Sequence, residues 1–184
     1  MTALDSVIQA LNDGGVIAYP TEAVFGLGCD PDNETAVMAL LAIKQRPVEK
    51  GLILIAADYS QLLPYVDDTA IPQDKRAKIF ASWPGHVSWV LPASTTAPKW
   101  ITGQFDSIAV RVSAHPIVQQ LCRAYGKPLV STSANLSGQP SITDPVELEQ
   151  SLGSLLSAIM PGALGGATQP SQIRNALTGD IVRS

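Results

Sequence analysis

The sequence predicts an α/β fold, a mixed sheet with flanking helices, and three observations predict it. Short apolar runs alternate with stretches whose apolar residues recur every three or four positions, the pattern of strands alternating with helices. The runs near residues 90 and 110 follow one another too closely for a helical crossover, so part of the sheet is antiparallel. No repeat, linker or charge run divides the 184 residues. A chain of this size is expected to form a single domain, residues 1–184, with a core that needs neither metal nor disulfide.

Leu4, Val7, Ile8 and Leu11 recur at helical spacing behind Thr2, with Asp5 three residues on as a capping partner and Gly14-Gly15 as the stop. Val16 to Tyr19 is a short apolar run closed by Pro20, a buried strand delivering the chain into a loop that reads PTEAVFGLG. A second helix runs from about Asn33 to Gln45 and must end near Pro47. Leu52 to Ala56 is the next buried strand, followed by helical stretches at Tyr59 to Tyr65 and Gln73 to Ser82. WPGHVSWVLPA reads as a turn entering a strand, and Ile108 to Val112 as another. A helix at 115–125, a strand at 129–132, a helix at 145–152 and short strands near Ala158 and Ile181 complete the order.

The composition, 46% hydrophobic and 15% charged, excludes disorder and a coiled coil. Sixteen acids against twelve bases exclude a broadly basic nucleic-acid coat but leave room for a local basic cleft. Cys29 and Cys122 form no CxxC pair, and His86 and His115 have no companion at metal spacing, so no metal ligand is assigned. His115, just before Pro116, reads as a cap, and the thiols read as buried. With no basic leader and no stretch of roughly 20 apolar residues, a cytoplasmic location without membrane contact is the default.

Four segments carry chemistry. Lys44 to Lys50 gathers three of the twelve bases in seven positions. Two readings stay open there: an anion site around a proline turn, or cations favoured by a helix C-terminus. Ser131-Thr132-Ser133-Ala134-Asn135 follows a strand, where hydroxyl and amide groups either bind a ligand or form a turn. Pro20-Thr21-Glu22 with Gly26 and Gly28 lies at another strand exit, without GxGxxG or Walker spacing. Arg111 is a lone cation in IAVRV, where burial demands a partner or a ligand anion and a solvent-facing strand edge demands neither.

PTEAVFGLG, KQRP followed by Lys50 and Gly51-Leu52, the WPG turn, IAVRV with His115-Pro116, STSANLSG and a terminal IVR stand in this order over nearly the whole chain. Together they resemble the YrdC/TsaC family, for which KxR followed by SxN is far more specific than either alone. The length is similar to that family's short form, without the extra C-terminal domain of longer relatives. The resemblance implies a twisted open sheet with flanking helices around a concave, positively charged cavity. It also implies a nucleotidyltransferase that joins L-threonine, bicarbonate or CO2, and ATP with Mg2+ into threonylcarbamoyl-AMP and pyrophosphate. A downstream threonylcarbamoyl-transfer complex then modifies the adenosine beside the anticodon of tRNA.

Carried over residue by residue, the resemblance implies that Lys44, Arg46, Ser133 and Asn135 hold ATP with Lys50 beside them, Lys44 and Arg46 being catalytic. Ser141 and Arg183 match further nucleotide contacts, and Thr21, Arg111, Ser131 and Ser171 match positions that hold threonine. Longer relatives often carry histidine at the end of the strand after KxR, where this chain has Ile55. No general base is assigned. A competing expectation is a non-catalytic module that grips RNA or tRNA through the same cavity, with steep salt dependence. A third is a domain of a carbamoyl-transfer assembly, against which the missing zinc motif counts.

Overall fold

The computed structural model describes residues 1–183; Ser184, the last residue of the expected domain, lies outside the described residues. Thr2 caps helix α1 (Ala3–Asn12): its hydroxyl accepts from the Asp5 amide at 3.0 Å while the Asp5 carboxylate accepts from the Thr2 amide at 3.1 Å. That reciprocal pair satisfies amides the helix itself leaves open. Strand β1 (Ile17–Pro20) is buried throughout.

The segment PTEAVFGLG is not a loop along its length. Phe25–Gly28 forms β2, antiparallel to β1, with Pro20 opposite Phe25 at the end of the ladder closed by the 21–24 connection. The glycines that suggested a loop serve close packing instead. A Cβ on Gly28 would lie 2.4 Å from the Val130 carbonyl and 2.8 Å from the Tyr19 ring, so only glycine lets β2 pass between them.

Helix α2 (Glu34–Lys44) has the predicted Asn33 cap, whose side-chain oxygen accepts from the Ala36 amide at 3.0 Å. Strand β3 (Ile53–Ala56) follows. The next stretch, expected as helix over Tyr59 to Tyr65, is only a 3₁₀ turn at Tyr59–Leu62, because Pro64 lacks the amide that would extend it. Helix α3 (Gln73–Ala81), strand β4 (Val87–Pro92), a single turn α4 (Lys99–Thr102), strand β5 (Ser107–Val112) and helix α5 (Pro116–Tyr125) come next. His115 caps α5, its Nδ1 accepting from the Ile117 amide at 3.1 Å. Strand β6 (Leu129–Ser133), helix α6 (Pro145–Leu152) and strands β7 (Ala158–Ile159), β8 (Gln172–Asn175) and β9 (Ile181–Arg183) complete the chain. β8 and α4 had no counterpart in the sequence reading.

The strands form one mixed sheet in the order β7-β1-β2-β6-β3-β5-β4-β8-β9. β4 and β5 pair antiparallel, as their short separation required, while β3 and β5 are parallel. Because side chains alternate across a strand, each strand sorts its residues between two faces. Ala18, Phe25, Leu54, Val110, Val130 and Leu91 pack with α2, α3, α4 and α6 in one core. Ile17, Tyr19, Ile55 and Leu129 pack with α1 and α5 in a second. Helices α1 and α5 cover only part of this second face, and the rest of it is open. Cys29 and Cys122 are buried free thiols in these two cores, and burial pushes both up to about 12.

At the end of α2 the chain reverses at Gln45, the one non-glycine residue with positive φ (48°) among the described residues. This left-handed cap brings the Arg46 amide back to the Leu41 carbonyl at 3.0 Å and turns the Arg46 side chain toward the open face. A side chain here costs about 1 kcal/mol, partly offset by glycine's extra freedom in the unfolded chain. Gln45→Gly is therefore expected to raise the thermal midpoint by about 2 °C, read by calorimetry; a fall would mean the Gln45 side chain itself stabilises the turn.

Candidate active site

The open part of the second face is a cavity of about 720 Å³. Its floor is built by strand alternation: Ser131 lies opposite Ile53, Ser133 opposite Gly26, and Arg111 opposite Ile55 in the ladders, while β4 and β8 contribute Ser88, Val90, Ile173 and Asn175. Ten of the eleven predicted site residues line it: Thr21, Lys44, Arg46, Lys50, Arg111, Ser131, Ser133, Ser141, Ser171 and Arg183. Asn135 stands behind the wall. Ile55 is fully buried in the α1/α5 core and does not reach the cavity.

Five of the twelve bases of an acidic chain thus meet in one cavity. The Lys44 ammonium donates to the Ser133 carbonyl at 2.7 Å, to the Asn135 carbonyl at 3.3 Å and to Asn135 Oδ1. Asn135 Oδ1 also accepts from the Ser133 hydroxyl at 3.0 Å, and its amide nitrogen donates to the Gln139 carbonyl at 2.7 Å. Asn135 therefore fixes Lys44 and Ser133 relative to each other. Arg46 donates Nε and Nη2 to the Gly51 carbonyl at 3.1 and 3.0 Å. Arg183 donates Nε and Nη2 to the Ser171 carbonyl at 3.0 and 2.9 Å, and Nη2 to the Ser171 hydroxyl at 3.1 Å. Lys50 stands exposed at the mouth. Its turn is clamped by residues 101–104, with the Leu52 amide on the Ile101 carbonyl at 2.9 Å and the Gln104 amide on the Glu49 carbonyl at 3.0 Å.

Burial pushes the Lys44 ammonium down to about 8, with the Arg46 charge adding to the effect. Burial likewise lowers Arg46, and it lowers Arg183 with help from the nearby charge of Arg111. These cations are held by neutral oxygens, so their charge is unspent and the cavity attracts a polyanion. A helix C-terminus alone does not account for Lys44–Lys50, since only Lys44 lies in the last turn of α2.

Arg111 differs. It is 5% exposed and its Nη1 lies 3.0 Å from Glu22 Oε1 in an ion pair, so the buried reading of this residue holds. The same Nη1 donates to His86 Nδ1 at 3.1 Å; that nitrogen must then be the acceptor, leaving Nε2–H to donate to the Gln169 carbonyl at 2.7 Å. The Ser113 hydroxyl bridges both Glu22 oxygens at 3.1 and 3.0 Å. Thr21, 5% exposed, donates its hydroxyl to the Val24 carbonyl at 2.6 Å and keeps its lone pairs for an incoming donor. Glu22 and His86 were not among the predicted site residues. The lone Arg111 signalled a missing partner, but nothing local could name a carboxylate 89 positions away.

A smaller cavity of about 410 Å³ is lined by residues including Asp32, Tyr65 and Lys127. Its cation is spent: Lys127 contacts Asp30 at 2.5 Å and Asp32 at 2.7 Å. The larger cavity is therefore the candidate active site. No helix among the described residues is long and apolar enough to cross a membrane.

Comparison with known proteins finds relatives along nearly the whole chain. Residues 9–184 match the Sua5/YciO/YrdC family model, described as telomere recombination. The chain is 61% identical over 177 residues to the threonylcarbamoyl-AMP synthase of Serratia proteamaculans, covering 96% of this chain and 93% of that one. It is 62% identical over 181 residues to the enzyme of the same name from Yersinia enterocolitica, covering 98% and 95%. Among solved structures, P. abyssi Sua5 complexed with L-threonine superposes with a TM-score of 0.86 at 31% identity, covering 94% of this chain and half of that longer one. A family model spanning nearly the whole chain, and relatives that share about three-fifths of its residues end to end, make this protein a member of the Sua5/YciO/YrdC family.

Proposed function

We propose that the chain joins L-threonine, bicarbonate or CO2, and ATP into threonylcarbamoyl-AMP and pyrophosphate, the activity named for its relatives at about 60% identity. The observation that carries this reading is the pairing, in one cavity, of four cations without carboxylate partners and one Arg111–Glu22 ion pair among the described residues. The first group suits the triphosphate. The second suits a zwitterionic amino acid, with Thr21, Ser131 and Ser171 at hand for its polar groups.

In the mechanism, the threonine ammonium gives up its proton to solvent, the free amine adds to CO2 and loses a second proton to solvent to form a carbamate, and a carbamate oxygen attacks the α-phosphorus of ATP. The bond from that phosphorus to the bridging oxygen breaks and pyrophosphate leaves. Negative charge builds on the phosphate oxygens, where Lys44, Arg46 and Lys50 stabilise it without reorganising. Ser133 and Asn135 hold Lys44 in place, while Ser141 and Arg183 contact the nucleotide. Mg2+ enters as part of the substrate Mg·ATP. The product then passes to a separate threonylcarbamoyl-transfer step on tRNA.

Pyrophosphate release from Mg·ATP is expected only when both L-threonine and bicarbonate are present. Release without threonine, or none while folded protein retains tRNA, would overturn the synthase reading in favour of another nucleotide reaction or an RNA-binding module.

The lowered Lys44 proton affinity gives a second expectation. The unfolded chain holds this proton up to its ordinary 10.5 and the folded chain only to about 8, so the free protein gains stability as pH rises through that window. A triphosphate beside Nζ favours the charged form. ATP binding between about pH 8 and 10.5 should therefore take up a proton and weaken as pH rises. Calorimetry in buffers of different ionisation heat is expected to show that uptake in the wild type and its loss in Lys44→Gln.

A further inference from the structure

We propose that Glu22 selects the charge of the ligand at the Arg111 end of the cavity: by neutralising Arg111 it reserves that end for a zwitterion and excludes phosphate. The proposal rests on the reading of this end as the threonine site.

The cavity's cations fall into two classes. Lys44, Arg46 and Arg183 are held by carbonyl, hydroxyl and amide oxygens, and with Lys50 they form no ion pair among the described residues. Arg111 alone has a carboxylate at 3.0 Å, with side-chain exposures of 6% and 12% for the two partners. At that burial the pair is weakly screened by solvent, and Glu22 cancels most of the charge Arg111 would otherwise present.

The carboxylate is also fixed where it stands. Ser113 donates its hydroxyl across both Glu22 oxygens and itself accepts the His115 amide at 3.0 Å. The backbone around Glu22 is pinned by the segment after β7: the Gly165 amide donates to the Thr21 carbonyl at 3.0 Å and the Ala167 amide to the Glu22 carbonyl at 2.8 Å. These contacts hold the Glu22 carboxylate beside Arg111. Glu22 and His86 use Nη1 of Arg111, and among the described residues Nε and Nη2 have no side-chain partner, which leaves them for an incoming carboxylate.

For a zwitterion the arrangement is complementary, since its carboxylate meets the free guanidinium donors while its ammonium lies in the field of Glu22. A phosphate dianion meets the same donors and the same field, now repulsive. Without Glu22, Arg111 would stand uncompensated beside Arg183, whose proton affinity already registers the Arg111 charge. The Arg111 end would then become a second anion site, and ATP or pyrophosphate would compete with the amino acid.

The test is a calorimetric titration of the full chain with inorganic phosphate at constant ionic strength, repeated with L-threonine present. The wild type is expected to bind phosphate at the ATP end only, with no effect on threonine affinity. Glu22→Gln is expected to gain a second phosphate site that competes with threonine, about tenfold or more tighter than any such competition in the wild type. Glu22→Gln/Arg111→Met is expected to lose that site again. A purely structural role would lower stability without creating a phosphate site. A single phosphate site in Glu22→Gln overturns the proposal. Phosphate competing with threonine in the wild type overturns it as well, even if the variant does not fold. A wild type that binds no threonine refutes the threonine reading instead, while the count of phosphate sites still decides the role of Glu22.

Discussion

Lys44→Ala and Arg46→Ala are each expected to lower pyrophosphate release by about two orders of magnitude while the fold persists. Each removes one fixed donor from the place where charge develops on the phosphates, a loss worth about 3 kcal/mol. The fold is spared because the partners left behind are neutral oxygens: those of Ser133 and Gly51 belong to residues that line the open cavity and can be hydrated, and Asn135 Oδ1 keeps the Ser133 hydroxyl. Arg46→Lys keeps the charge but loses the two-pronged grip on the Gly51 carbonyl, so it should recover only part of the rate. The double variant should fall short of the product of the single effects, since both cations act on one phosphate chain. Lys127→Ala in the smaller cavity is the control, expected to leave release unchanged. Near-normal turnover in both single variants would remove Lys44 and Arg46 from the chemistry.

Periodicity made much of this fold legible, and its failures have physical causes. Helix α1 was readable because cap, apolar stripe and stop agree, and β3, β5 and β6 because buried strands are apolar runs. β2 was hidden because its glycines are required by the Tyr19 ring and the Val130 carbonyl, a constraint that exists only after folding. β8 was hidden because QIRN lies half-exposed near the sheet edge and is held by pairing with β4. The cationic half of the cavity was visible as local charge and as polar residues at a strand end. The Arg111 half was not, because Glu22, His86 and Arg111 come from three separate segments, and Ser113 and Glu22 are 91 residues apart.

Arg111→Met is expected to abolish threonine-dependent turnover and to destabilise the protein by about 3 kcal/mol, the low end for breaking a buried pair. The low end applies because Glu22 keeps the Ser113 hydroxyl and the adjoining cavity admits water. For a chain of this length that is a fall of roughly 6–12 °C in the thermal midpoint. Two effects of different origin are combined in this variant, and a second substitution separates them. Glu22→Gln/Arg111→Met removes the stranded carboxylate together with its partner, so most of the lost stability should return, whereas threonine use should not, because the donors of Arg111 remain absent. ATP binding, which depends on Lys44, Arg46, Lys50 and Arg183 in the proposed arrangement, should change little in either variant. If the double variant is no more stable than Arg111→Met, the carboxylate is not the source of the cost. If it regains threonine-dependent release, Arg111 does not hold the amino acid, and the role of that end of the cavity passes to Thr21, Ser131 and Ser171.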